Sequence, residues 1–391
     1  MKPWPLNINQ FNVLDKLKII WFFCKNNRWT QDKFVKKFEA EMAKKIGVKY
    51  AVFVANGSVA NTLIAQYIKD TSKNFKEKNV VVLPSTTWQT SCSPWIREGF
   101  TPKFIDISLD NFCLDTSILD KYVKENHQKI ACIFPTSLIG FSQNLDFYKN
   151  LEEKYNLKIC LDNCENTLGD FNGKNISSYF TSSTSTYFGH QIQSVEGGFI
   201  FTNNEDEYNY FLMNRNHGMV RSLSAYGRNI DKYKNPEVDP LFDFFSLGNN
   251  FRNSDINAFI GLLDFKRFEK YKKDRKRLYK IFKDHINLDR FYLPPERINQ
   301  NDVQFCLPII LKNKDENKIK VLKKFCIDSN IEYRPIISGH LGYQTCYKKF
   351  FDGSENYKNS IYIHKYGFYV GLHSLIKKQD IIKFAKKINS I

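Results

Sequence analysis

His190 is the residue in this chain best suited to moving a proton, and it lies in a long stretch with no lysine between Lys174 and Lys232. It follows the hydroxyl-rich run Ser183-Thr184-Ser185-Thr186, whose alternation predicts a β-strand, and the turn Tyr187-Phe188-Gly189. Glu196-Gly197-Gly198 then leads into the apolar strand Phe199-Ile200-Phe201. Imidazole titrates near neutral pH, so it can take a proton in one step and return it in the next. A packed turn histidine is the plain alternative. A second group of interest is Asn56-Gly57-Ser58-Val59-Ala60-Asn61, between an expected strand Tyr50 to Val54 and a helix through Tyr67. Free N–H groups and the dipole at such a helix start attract an anion such as phosphate. Gly-Ser before a helix is also an ordinary cap. The third is Leu161-Asp162-Asn163-Cys164-Glu165, two carboxylates at the end of a buried strand, where open α/β sheets border ligand crevices.

The elements that must position these groups form a repeated βα pattern. Strands are expected at Tyr50 to Val54, Val80 to Leu83, Pro102 to Ile105, Ile130 to Phe134 and Leu157 to Leu161, with helical stretches between them. That alternation implies a mainly parallel sheet with helices on both faces, an α/β fold. Helix Gln31 to Ile46 places Phe34, Phe38, Met42 and Ile46 on one side. Ser222 to Asp243 is polar and irregular, a candidate to move or to fold over the site. Helix Ser254 to Asp264 follows, and then charged helix Phe265 to Asp284 joins a C-terminal α+β unit. That unit contains strand Phe305 to Leu311 and helix Glu316 to Asn330. The expected division is 1–264 for a large domain, N-terminal segment included, and 265–391 for a small one.

Composition narrows the classes. A chain of 391 residues supports both domains with ample core. Its formal charge of +17 favours anionic ligands, but lysines and acids are interleaved and no nucleic-acid-binding signature appears, so no nucleic-acid partner is expected. Nine cysteines without a signal peptide fit a reducing cytoplasm better than a disulfide framework. They are not clustered as iron–sulfur ligands, and no metal site is expected. Ile19 to Cys24 is too short to span a bilayer. It admits an amphipathic contact, with packing on the domain preferred, and no membrane partner is expected.

In family order, Gly57-Ser58, Trp88 after Pro84-Ser85-Thr86-Thr87, Asp162, Ser185, His190 and the element Gly248-Asn249-Asn250-Phe251-Arg252 resemble one known family. It is the sugar aminotransferases of aspartate-aminotransferase fold (fold type I), the DegT/DnrJ/EryC/StrS type. In most of these enzymes a lysine binds pyridoxal phosphate covalently, and here His190 takes its place. The branch with histidine comprises pyridoxamine-phosphate-dependent 3-dehydratases of nucleotide-linked 4-keto-6-deoxy sugars. The resemblance implies a cofactor held without a covalent bond, with Gly57, Ser58 and Ser185 on its phosphate and Trp88 stacked on its ring. It further implies that Asp162 meets the ring nitrogen, that Glu165 lies beside the ring or its hydroxyl, and that Asn250 reaches the phosphate of a neighbouring subunit. The implied assembly is a homodimer with shared sites, and L-glutamate is the implied amino donor. His217, Arg221 and Arg334 are candidate substrate contacts, and His190 is the implied catalytic residue. Gln191 departs from the pattern, because the nearest enzymes carry a second histidine there. The sugar therefore stays open: a GDP-mannose type is favoured, with CDP and dTDP sugars as alternatives. A 4-aminotransferase and a cofactor-binding regulator without turnover are the rival functions.

Overall fold

Three strands, Thr101–Ile105, Val80–Pro84 and Ile130–Ile133, pair in parallel in that order. Four more follow in the order Cys160–Asp162, Thr181–Ser185, Gly198–Thr202 and Tyr50–Val54. Parallel bridges from Ile133 to Ile159 and from Thr136 to Asp162 join the two sets into one sheet. Gly198–Thr202 runs antiparallel to both its neighbours, and the rest of the sheet is parallel. The computed structural model describes residues 3–295, 301–351, 353 and 356–391. The strands are buried nearly throughout, as expected where helices cover both faces.

The covering helices show why these sequences fold as they do. Lys33–Ile46 buries Val35, Phe38, Met42 and Ile46 against Phe53, Phe199 and Phe201, with Phe34 only half-buried at the edge of the expected stripe. Gly57–Thr71 begins at Asn56, whose side chain accepts from the Val59 N–H at 2.9 Å, and it buries Ala60, Leu63 and Ile64. The segment after Ser222 does not fold over the cleft described below. Its Tyr226 hydroxyl bonds Arg215 and Glu39 at 2.8 and 2.6 Å, which pins the segment to the back of the sheet.

A second sheet lies towards the C-terminus, Cys306–Ile310, Gly367–Gly371 and Tyr333–Pro335, antiparallel with the middle strand central. Helices Phe268–Lys283, Glu316–Asp328 and Lys378–Ser390 back it. The N-terminal strap joins this unit: Trp4 is buried in its core and its indole N–H donates to the Gly371 carbonyl at 3.0 Å.

Arg215 and Glu39 form a fully buried ion pair that also holds the Phe53 backbone: Glu39 accepts its N–H and Arg215 donates to its carbonyl, both at 2.8 Å. Glu39→Ala strands the guanidinium in the core. Urea unfolding is expected to show a loss of about 3–5 kcal/mol, and a loss below about 1 kcal/mol would contradict this role.

Candidate active site

A cleft of about 640 Å³ opens between the two sheets. Its floor is the end of strand Thr181–Ser185 and the neighbouring end of Cys160–Asp162. Gly57, Ser58, Trp88, Asp162, Glu165, Ser185, His190 and Arg334 all line it. No lysine is among the described residues that do so.

The N-terminus of helix Gly57–Thr71 is pressed against the floor. A Cβ on Gly57 would lie 2.9 Å from that of Ser185 and 3.0 Å from the Cys164 sulfur, so only glycine lets the turn sit this low. The Ser58 hydroxyl pairs with that of Thr90 at 2.7 Å, and Ser185 accepts from the Tyr187 N–H at 3.2 Å. Free N–H groups and two hydroxyls here suit a phosphate. Trp88 caps the start of helix Gln89–Arg97 and is 58 % exposed, its ring forming cleft wall rather than core. The core tryptophan of this region is Trp95.

Asp162 is buried, yet both its oxygens are held. Oδ2 accepts from the Asn61 amide at 2.9 Å and the Ser91 hydroxyl at 2.5 Å, while Oδ1 accepts from the Cys164 N–H at 3.1 Å. Asn61 is in turn bonded by the Ser183 hydroxyl, which makes Ser183 part of this support. Asn61 and Ser91 escaped the sequence reading, although Asn61 sits four residues after Gly57 and so on the same helix face.

Glu165 is a different carboxyl. It accepts one bond, from the Ile139 N–H at 2.6 Å, and that residue has a left-handed φ of 46°, costly for a β-branched side chain. Burial pushes Glu165 up to about 8, the Ile139 bond opposes this, and the Asp162 charge adds to it. The two neighbouring carboxyls thus differ in kind: Asp162 accepts three hydrogen bonds, whereas Glu165 accepts one and is raised to about 8.

His190 is half-buried, and its Nδ1 has no hydrogen-bond partner among the described residues. Its pKa falls to about 4, mainly through burial and then the nearby Arg275 charge, while the Tyr187 backbone opposes the shift. The ring is therefore neutral at pH 7, ready to accept a proton. Its turn is tied down on several sides. Asn7 donates to the carbonyls of Phe188 and His190 at 2.8 and 3.1 Å, and the His190 N–H donates to Tyr187 at 2.8 Å. The Phe305 ring packs 5.5 Å from the imidazole, and Arg275 holds the Phe305 carbonyl at 2.8 Å. Gln191 is buried and bridges two segments, accepting from the Leu168 N–H at 2.9 Å and donating to the Val303 carbonyl at 2.6 Å. An amide can do both at once, which accounts physically for glutamine at this position.

Arg334 stands exposed in the cleft wall and pairs with Glu332 at 2.7 Å. Asn250, His217 and Arg221 do not line this cleft. They gather on another surface, where the His217 N–H donates to the Asn249 carbonyl at 2.8 Å and the Arg221 guanidinium lies over Phe242 at 5.1 Å. Among the described residues no group of three or more His, Cys, Asp and Glu is arranged to hold a metal.

A helix start suited to phosphate, an aromatic wall, a held carboxylate and a cleft-lining imidazole together fit a planar, phosphate-bearing cationic ring. Residues 16–389 match the DegT/DnrJ/EryC1/StrS aminotransferase family. The chain belongs to that family. It is 28% identical over 390 residues to a GDP-4-keto-6-deoxy-D-mannose 3-dehydratase of Escherichia coli O55:H7, covering 98% of this chain and 99% of the relative. The Yersinia pseudotuberculosis enzyme of the same name is 28% identical over 370 residues, 94% of this chain and 93% of that one. The solved E. coli enzyme with bound hydrated PLP superposes with a TM-score of 0.89 at 25% identity, covering 98% and 99% of the two chains. The fold is thus that of the aspartate aminotransferases, as the βα pattern and motif order implied.

The high pKa of Glu165 has a measurable consequence. Its folded value, about 8, lies above the ordinary 4.5, so its contribution to stability is complete below 4.5 and lost as pH rises through 8. Cofactor-free Glu165→Gln lacks this loss. Between pH 5 and 9 wild type is expected to fall by roughly 2–4 kcal/mol relative to the variant in urea unfolding, and parallel curves would show that Glu165 is ionised throughout.

Proposed function

We propose that this protein is a pyridoxamine-phosphate-dependent dehydratase that removes the C3 hydroxyl of a nucleotide-linked 4-keto-6-deoxyhexose, with GDP-4-keto-6-deoxy-D-mannose favoured. One observation carries the reading: a cleft equipped with a phosphate cradle and a carboxylate floor presents His190 and no lysine among its described lining. The product is a 4-keto-3,6-dideoxy sugar of the kind used in surface polysaccharide such as the lipopolysaccharide O-antigen.

Gly57, Ser58 and Ser185 would hold the cofactor phosphate, Trp88 would cover one face of its ring, and Asp162 would stabilise the protonated ring nitrogen. Glu165 would donate to the ring hydroxyl. The aminated cofactor supplies an amine for the sugar ketone and a ring that accepts electrons. With the cofactor bound, His190 would be the group that accepts a proton beside it and returns it to the departing C3 hydroxyl. Its neutrality at pH 7 supports the first of these tasks. Arg334, exposed at one edge of the cleft where it bonds Glu332 and the Tyr333 carbonyl, is a contact for sugar or phosphate. L-glutamate would be the amino donor, and its nitrogen would leave as ammonia.

The reading extends to assembly. Asn250, with His217 and Arg221, serves the cleft of a second copy in a homodimer with shared sites. The exposure of Asn250 supports this, as do the exposed side chains of Leu241, Phe242, Phe244, Phe245 and Leu247, which association would bury. The division near residue 264, with Trp4 lent to the small domain, and a reducing cytoplasmic setting for nine unpaired cysteines complete it.

Incubation with cofactor, ¹⁵N-glutamate and GDP-4-keto-6-deoxy-D-mannose distinguishes this reading from an aminotransferase. The label is expected in free ammonia, with a sugar product lighter by one oxygen; label retained in an amino sugar would overturn the assignment. Under the same conditions His190→Asn is expected to slow dehydration by about 100- to 10,000-fold, and an unchanged rate would remove His190 from the proton path.

A further inference from the structure

Helix Val13–Lys25 packs on the body through one narrow face. Phe22 is buried, stacked 4.9 Å from Phe259 and set edge-on to Phe34 at 5.3 Å. Asp15 is paired with Arg267 on the same side. The opposite face is not polar. Val13, Leu14, Leu17, Ile20 and Trp21 recur at helical spacing and are between 53% and 71% exposed, and Phe23 and Trp29 are exposed beside them. The apolar stretch noted in the sequence therefore buries only Phe22 fully, with Ile19 half-buried and Ile20, Trp21 and Phe23 exposed.

The charges around this face have one sign. Asp15 is the only acid in residues 1–31 and it is buried, whereas Lys16, Lys18 and Lys25 flank the apolar stripe and Arg28 follows. A two-fold contact that pairs this helix with its own copy would bring these lysines towards their equivalents with no acid in residues 1–31 but the buried Asp15 to offset them. An anionic lipid surface meets both requirements. It takes leucine, isoleucine and tryptophan at the headgroup–acyl boundary and places lysines against phosphates. Lysine stems allow this geometry, since they run along an apolar surface while the ammonium reaches outwards. The helix is too short to cross a bilayer, and no described helix is long and apolar enough to do so, so the contact lies in the plane of the surface.

We propose that the outer face of helix Val13–Lys25 docks the enzyme reversibly on an anionic membrane leaflet, with Leu17, Ile20 and Trp21 inserted and Lys16, Lys18 and Lys25 at the headgroups. The proposal runs against the expectation of no membrane partner and leaves intact the expectation of no spanning segment.

Co-sedimentation of the full chain with vesicles tests this. Wild type is expected to bind phosphatidylglycerol–phosphatidylcholine vesicles and to leave phosphatidylcholine vesicles largely unbound. The variant Leu17→Ser/Ile20→Ser/Trp21→Ser keeps the charge of +17 and is expected to lose binding while its sedimentation velocity and melting temperature stay unchanged. A second variant, Lys16→Gln/Lys18→Gln/Lys25→Gln, is expected to bind about a hundredfold more weakly at low salt. The proposal is overturned if wild type ignores anionic vesicles, or if the serine variant binds as tightly as wild type, which would mean that net charge alone is responsible. It is equally overturned if the serine variant changes oligomeric state, which would make the face a contact between copies, or if wild type binds an acidic protein surface and no vesicle.

Discussion

Three donors converge on the carboxylate of Asp162, and most of the cleft is arranged around keeping them there. Asn61 comes from the helix that starts at Gly57, Ser91 from the helix that starts beside Trp88, and the Cys164 N–H from the turn leading to Glu165. Such donors favour the charged form of a buried carboxylate, and the same contacts fix the two helix starts that border the cleft. Electrostatics and geometry are one construction here.

His190 and Glu165 show the opposite strategy. Each has few partners, each is partly withdrawn from solvent, and burial moves each towards its neutral form. A base and an acid with few partners, sharing a cleft with the well-bonded Asp162, divide the labour by hydrogen-bond count. The positions of both depend on the segment around Phe305, which touches the imidazole on one side and bonds the Ile139 carbonyl at 2.9 Å on the other. A Cβ on Gly140 would fall 2.4 Å from the Phe305 nitrogen, so this junction between the two sheets tolerates no side chain there.

Much of this was legible in the sequence because it rests on local signals. The βα alternation gives the sheet, the Asn-Gly-Ser turn gives the helix start, and the motif order places Trp88, Asp162, Ser185 and His190 together. What was not legible depends on distant pairings. Nothing local marks Asn61 and Ser91 as the support of Asp162, or Asn7 as a clamp on a turn some 180 residues away. Gln191 reads in sequence as a departure from the family, and only the two segments it bridges explain it. Trp4 belongs to the core of a sheet formed by the opposite end of the chain. The apolar helix near the N-terminus was expected to be covered, because periodicity reports an apolar face without saying which side the body occupies.

The central claim is that the cofactor is gripped by contacts alone. Loading the protein with pyridoxal phosphate, reducing it with borohydride while folded, and weighing the denatured polypeptide tests that claim directly. The account predicts an unmodified chain, with all the cofactor recovered as a small molecule. A stoichiometric pyridoxyl adduct on a lysine would contradict it.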